Sequence, residues 1–173
     1  MATYTKGFKK QTTEHTLLKT IVAIIVAVLV IVGVVWVYDL ATDSGSYEDF
    51  TIIDAYDKVL TQKDANQVQL QNYLVYFYSD SCANCVEIKR EALKLADQIN
   101  GESTVIFFVN TSTVKETTAG DKELLLDEIN EASLKTPMVI SIVDGEFYRS
   151  YIGTDNVLNL LTDVEAGTYT PFN

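Results

Sequence analysis

The chain has 173 residues, 47% hydrophobic and 21% charged, which suits one ordinary folded domain and excludes a disordered or low-complexity chain. Its 2 cysteines exclude a disulfide-stapled miniprotein and a one-chain zinc site of four thiolates; its 1 histidine, His15, leaves no imidazole for a Ser-His-Asp or Cys-His site further along. The formal net charge of −11 leaves no basic patch for phosphates, so nucleic acid is not an expected partner.

Residues 1–19 are a basic segment: Lys6, Lys9, Lys10 and Lys19 against Glu14 give a net of +3, with His15 neutral. The 19 residues of 20–38 carry no charge. As a helix they reach roughly 28 Å at ~1.5 Å per residue, close to the ~30 Å bilayer core. Trp36 and Tyr38 stand at the outer end, where amphipathic rings favour an interface. The run is long for the apolar part of a signal peptide, and no A-x-A site follows Tyr38. A retained transmembrane helix is therefore expected over 20–38. Residues 39–173 hold 9 basic and 23 acidic residues, a net of −14. The positive-inside rule places the N-terminus in the cytoplasm and 39–173 outside it, as a single-pass cell-membrane protein. The acidity also disfavours a domain lying flat on anionic lipid.

Residues 39–49, with Ser44-Gly45-Ser46, read as a short flexible tether of at most ~35 Å. Residues 50–165 read as the folded domain and 166–173 as a C-terminal tail. Ile53, Tyr56 and Leu60, with Ile52 and Val59 beside them, predict a first helix. Tyr73 to Tyr78 is a continuous apolar and aromatic run, which predicts a buried strand. Ile88, Ala92, Leu95 and Ile99 mark one face of a helix ending before Gly101. Val105 to Val109 predicts a second buried strand. Leu125, Ile129 and Ala132 predict a helix starting near Gly120 or Asp121. Met138 to Val143 predicts a third strand, Asp144-Gly145 a hairpin turn, and Phe147 to Tyr151 the returning strand. Thr154 or Asp155 can cap a last helix with Val157, Leu158, Leu161 and Val164 inward. The order α, β-α-β, α, β-β-α makes an α/β fold: a mixed sheet with helices on both faces and a right-handed parallel crossover.

Cys82-Ala83-Asn84-Cys85 falls between the first strand and the long helix. Two thiols at i, i+3 on a helix's first turn can close a small disulfide ring. The unpaired amides and dipole of that helix end stabilise a thiolate. Cys82, at the helix start, is expected to be the exposed nucleophile, and Cys85, one turn in, the resolving thiol. A structural staple is the weaker reading, because so small a loop removes little unfolded-state entropy. A zinc half-site completed by a dimer and two inert core cysteines stay as further alternatives. Ser81 stands either as a helix cap or as an exposed loop serine. Asp80 would disfavour a thiolate, and Lys89 or Arg90 would favour one on folding back.

The segment Phe77-Tyr78-Ser79-Asp80-Ser81-Cys82-Ala83-Asn84-Cys85 resembles the active-site segment of the thioredoxin superfamily. Lys135-Thr136-Pro137-Met138-Val139 resembles that family's cis-proline segment. Asp144-Gly145-Glu146 and Tyr151-Ile152-Gly153 resemble its hairpin and the glycine before its final helix. The resemblance covers 50–165. It implies a thioredoxin-like sheet, a cis Thr136–Pro137 bond, and Thr136 and Pro137 as a platform for substrate backbone. It departs at Ser81 and Ala83-Asn84, where thioredoxins have Trp and Gly-Pro, and at Tyr76, where they have a buried Asp. A buried carboxylate can take the proton of a resolving thiol, so Tyr76 puts thioredoxin-like reduction in question.

The resulting expectation is a membrane-tethered, extracytoplasmic thiol–disulfide oxidoreductase. Its catalytic residues are Cys82 and Cys85, and its substrate-binding residues Thr136 and Pro137. It needs no metal and no cofactor beyond the redox-active pair. Its partners are protein thiols or disulfides of secreted or surface clients, together with a separate redox partner. The competing class is a redox-inactive thioredoxin-like module that scaffolds a membrane or export complex.

Overall fold

The computed structural model describes residues 13–42, 45–63, 68–100 and 104–172. The expectations for 1–12, for Ser44 and for Gly101 lie outside the described residues. The chain divides into two units, 1–43 and 44–173.

The first unit is one helix, α1, Thr13–Thr42. Every described side chain from Leu17 to Val37 is exposed, and that stretch is long and apolar enough to cross a membrane. Valine and isoleucine are poor helix formers in water, but in lipid the helix is what satisfies each backbone group. The helix fits a single-pass membrane anchor. It runs on through Thr42, so the first four residues of the predicted tether are helical.

The second unit is built on a four-stranded sheet in the order β2-β1-β3-β4. Its strands are β1 (Tyr73–Tyr78), β2 (Val105–Asn110), β3 (Met138–Val143) and β4 (Glu146–Ile152). β1 and β2 are parallel, joined by helix α2, Ala83–Asn100. β3 runs antiparallel to β1, and β4 to β3. The β3–β4 turn is Asp144 and Gly145, both at positive φ (54° and 81°), as a tight two-residue hairpin requires.

All six residues of β1 are buried, because the strand is covered on both faces. Leu74, Tyr76 and Tyr78 face α2 and α4 (Thr154–Glu165), in a core with Ile88, Phe108 and Leu161. Tyr73, Val75 and Phe77 face the other way, toward Ile53, Val59 and α3 (Asp121–Glu128). The period-two alternation of the strand divides one apolar run between two cores. Each such side chain contributes roughly 1.5–3 kcal/mol on burial.

Several predicted elements take a different form. No helix spans Ile53 to Leu60. Ile52 and Ala55 make single parallel bridges to Phe108 and Lys115, and a three-residue turn, Tyr56–Lys58, follows. The Phe108 amide donates to the Thr51 carbonyl at 2.9 Å, and Ile53 N–H to the Phe108 carbonyl at 2.8 Å. The segment thus satisfies the outer edge of β2 instead of its own helix. α3 stops at Glu128, since Asn130 at φ 52° turns the chain; Ile129 is buried beyond the helix and Ala132 is exposed. Neither Thr154 nor Asp155 caps α4, which starts behind Gly153 at φ 89°. Leu160 joins Val157, Leu161 and Val164 in the core, while Leu158 is half-buried.

Tyr47 and Tyr169 belong to the same core as α2, so the packed unit takes in part of 39–49 and part of 166–173. Ser46 Oγ accepts from Glu48 N–H at 3.3 Å, and the Asp49 carboxylate from Ser46 N–H at 2.8 Å. This reciprocal capping folds the short turn Tyr47–Asp49 and turns Tyr47 inward. The Tyr169 hydroxyl donates to Ser141 Oγ at 2.9 Å inside the sheet, which ties down the tail.

Candidate active site

Cys82 and Cys85 form a disulfide at the head of α2, with Cα atoms 5.2 Å apart. Ser79 to Ser81 make the turn that ends β1, and the Cys82 amide donates to the Ser79 carbonyl at 3.1 Å. Cys82 then stands immediately before α2. Its sulfur accepts the Cys85 N–H at 3.1 Å. Cys82 therefore fills the capping position itself, with sulfur where serine or aspartate usually supplies oxygen. Ser81 does not cap. Its hydroxyl lies 3.0 Å from Ser79 Oγ, which lies 3.0 Å from Ser112 Oγ, in a row of hydroxyls along the rim.

The two sulfurs differ in access as their positions predict. Cys82 is partly buried, whereas Cys85 is 1% exposed and packed in the α2 core. A helix N-terminus with an amide aimed at the outer sulfur favours its thiolate once the bond is reduced.

The structure brings the second expected pair to the first. The Thr136–Pro137 peptide is cis, and the Thr136 carbonyl oxygen lies 3.2 Å from Cys82 Sγ. The disulfide sulfur carries no proton, so this is a close contact; a Cys82 thiol would donate there. The buried Pro137 accepts from the Gly153 amide at 3.0 Å through its own carbonyl, which ties the loop to the start of α4.

The charged neighbours are arranged differently from expectation. Asp80 is exposed and accepts from Asn110 Nδ2 at 2.9 Å. Lys89 does not fold back on the sulfurs: its Nζ sits 5.2 Å from the centre of the Tyr47 ring. Arg90 is exposed.

Beneath the disulfide lies a cluster of phenols rather than a carboxylate. Tyr76 is fully buried, and among the described residues its hydroxyl finds no partner at hydrogen-bond geometry, the Tyr47 phenol being its polar neighbour. Tyr47 stacks on Tyr78 with ring centres 3.8 Å apart and lies 5.9 Å from the Tyr76 ring. The Tyr47 hydroxyl donates to the Cys85 carbonyl at 3.4 Å. Burial pushes the Tyr47 phenol up to about 12 and Tyr76 further still. Both phenols stay protonated and cannot take a proton from Cys85 near neutral pH. Sequence spacing gave no sign of Tyr47, since 38 residues separate it from Cys85; the Ser46-x-x-Asp49 capping pattern was the one local signal of a folded turn there.

No protein-family model matches the chain, and no curated protein matches it. Among solved structures the chain is similar to a Malassezia sympodialis thioredoxin, at 17% identity over 67% of this chain and 90% of that one, with a TM-score of 0.47. It is also similar to mitochondrial thioredoxin 3 of Saccharomyces cerevisiae in its oxidised form, at 16% identity over 73% and 99%, TM-score 0.47. A third is thioredoxin f2 of Chlamydomonas reinhardtii, at 17% identity over 69% and 97%, TM-score 0.45. In this chain's own topology, a mixed sheet with one parallel crossover carries a C-x-x-C disulfide at the head of the crossover helix, which is a thioredoxin-like architecture. A C-x-x-C pair with one partly exposed and one buried sulfur can, chemically, pass between disulfide and dithiol.

Proposed function

We propose that this chain is a membrane-tethered thiol–disulfide oxidoreductase that acts outside the cytoplasm on cysteines of secreted or surface proteins. The observation that carries the reading is the asymmetry of the pair: a reachable Cys82 sulfur held by a helix-end amide, over a Cys85 sulfur sealed in the core. In the reducing direction the Cys82 thiolate attacks one sulfur of a client disulfide and expels a client thiolate. Cys85 then loses its proton and attacks the Cys82 sulfur of the mixed disulfide. That step closes the Cys82–Cys85 bond, releases the second client thiolate and passes two electrons to the client. The oxidising direction is the reverse, with a client thiolate attacking Cys82 Sγ and a separate redox partner restoring the disulfide. Thr136 and Pro137 stand beside Cys82 as the surface that receives client backbone. The apolar helix supports the anchor, and the four lysines of 1–19 against none in 39–57 support the outward orientation.

The test is turnover of a model disulfide, such as insulin, and oxidative refolding of a reduced protein, both with the full chain in detergent. A measured potential of the Cys82–Cys85 couple assigns direction: about −270 mV indicates reductase work, and about −120 mV an oxidase. No activity in either assay, with both thiols inert to alkylation, would leave the scaffold reading.

A further inference from the structure

The two polar groups of residue Cys85 face opposite partners. Its N–H points outward to Cys82 Sγ at 3.1 Å, and its carbonyl points inward to the Tyr47 hydroxyl at 3.4 Å. The Tyr47 ring is itself fixed, stacked on Tyr78 and covered by Lys89. The turn carrying it is locked by the Ser46–Asp49 capping pair. We propose that Tyr47 is a positioning residue for the Cys82 thiolate: by holding the Cys85 backbone it keeps the Cys85 amide aimed at the outer sulfur. The redox site is then completed by the segment just before residue 50, which also connects the domain to the apolar helix. This inference rests on the reading of Cys82 as the nucleophile.

At 3.4 Å the hydroxyl bond is long for O–H···O, so its loss loosens the amide rather than removing it. The other titratable and charged groups nearby are Tyr76 and Tyr78 on β1, Asp80 in the following turn, Glu48 beside Tyr47, Lys89 on α2, and Lys135 before Thr136, which pairs with Glu131 at 3.7 Å. All of these groups remain when Tyr47 becomes phenylalanine; the substitution removes the hydroxyl, which faces both the Cys85 carbonyl and the Tyr76 phenol. The phenol is held protonated by burial, and it remains a donor across the range in which a thiol titrates.

The test is site-resolved alkylation of the reduced full chain in detergent, as a function of pH, for wild type, Tyr47→Phe and Tyr76→Phe. For Tyr47→Phe the midpoint of Cys82 alkylation should rise by about half a pH unit. Its labelling below the midpoint should slow roughly threefold, while the rates above it coincide with wild type. Tyr76→Phe, which leaves the Tyr47–Cys85 bond in place, should move the midpoint clearly less than Tyr47→Phe does. An unmoved midpoint in Tyr47→Phe overturns the proposal. So does an equal slowing at every pH, the mark of a merely structural role, or an equal shift in Tyr76→Phe. A wild-type Cys82 midpoint at or above the ordinary thiol value of ~8.5 counts against the oxidoreductase reading itself; a depressed midpoint that ignores Tyr47 counts against Tyr47 alone.

Discussion

Cys82 Sγ and the Thr136 carbonyl oxygen meet at 3.2 Å across 54 residues of chain. In the proposed reaction a client sulfur would attack Cys82 against the Thr136–Pro137 loop. Cys85 lies behind, 1% exposed, and reaches only the Cys82 side of any mixed disulfide. Replacing Cys85 with serine should leave first attack intact and remove the resolving thiol. Mixed disulfides through Cys82 should then accumulate, visible as thiol-sensitive adducts on non-reducing gels. Cys82→Ser should give no adducts and no turnover. Faster alkylation of Cys85 than of Cys82 in the reduced protein would reverse these roles.

Orientation is tested separately from chemistry. Lys6, Lys9, Lys10 and Lys19 before the apolar run, against no lysine or arginine in 39–57 after it, favour N-in, C-out insertion. A membrane-impermeant protease added to intact protoplasts should degrade the 44–173 unit and spare the N-terminal segment. Protection of that unit until the membrane is permeabilised would place the disulfide in the cytoplasm, where glutathione and thioredoxin keep most thiols reduced.

Three strands of the sheet were legible because they are buried on both faces: Tyr73 to Tyr78, Val105 to Val109 and, but for Ser141, Met138 to Val143 are apolar or aromatic runs, and each lies within a strand. The cysteine pair was legible because its chemistry is local, a spacing of three on one helical turn. Ile53, Tyr56 and Leu60 misled because spacings of three and four fit one face of a helix and also a turn laid against a strand edge. The bonds from Thr51 and Ile53 to Phe108 decide between the two, and they cross more than fifty residues of chain. Tyr47 and Tyr169 were hidden for the same reason: the groups that bury them, Cys85 and Ser141, are far away in sequence.

The Tyr76 hydroxyl is fully buried and, among the described residues, makes no well-formed hydrogen bond; its neighbour Tyr47 donates to the Cys85 carbonyl. Leaving such a group unsatisfied costs about 1–3 kcal/mol. Tyr76→Phe keeps the ring and its packing against Phe108, 5.3 Å between centres, and removes only the penalty. The variant should be more stable than wild type by about 1 kcal/mol, read as a higher urea midpoint at unchanged slope. A loss of stability would show that the hydroxyl is satisfied in solution.

Alkaline pH should unfold the domain through its buried phenols. Burial raises Tyr47 and Tyr73 from 10.0 to about 12, and raises Tyr76 and Tyr169 as well. In the unfolded chain these groups ionise near 10, so above that pH the unfolded state binds fewer protons than the folded one, and stability falls as pH rises. The phenols' full contribution is present below pH 10 and is lost as pH climbs through the folded values. Each phenol that is ionised only when unfolded costs about 1.4 kcal/mol per pH unit, so four of them cost roughly 5. One to two units of that slope consume the 5–15 kcal/mol typical of a domain. Ionisation would also break the bonds from Tyr73 to the Val59 carbonyl and from Tyr169 to Ser141 Oγ. Tyrosinate absorbance from the buried phenols and far-ultraviolet circular dichroism should therefore change together in one steep step between about pH 11 and 12. Smooth ionisation of every tyrosine near pH 10, with the dichroism intact, would contradict the buried phenol cluster beneath the disulfide.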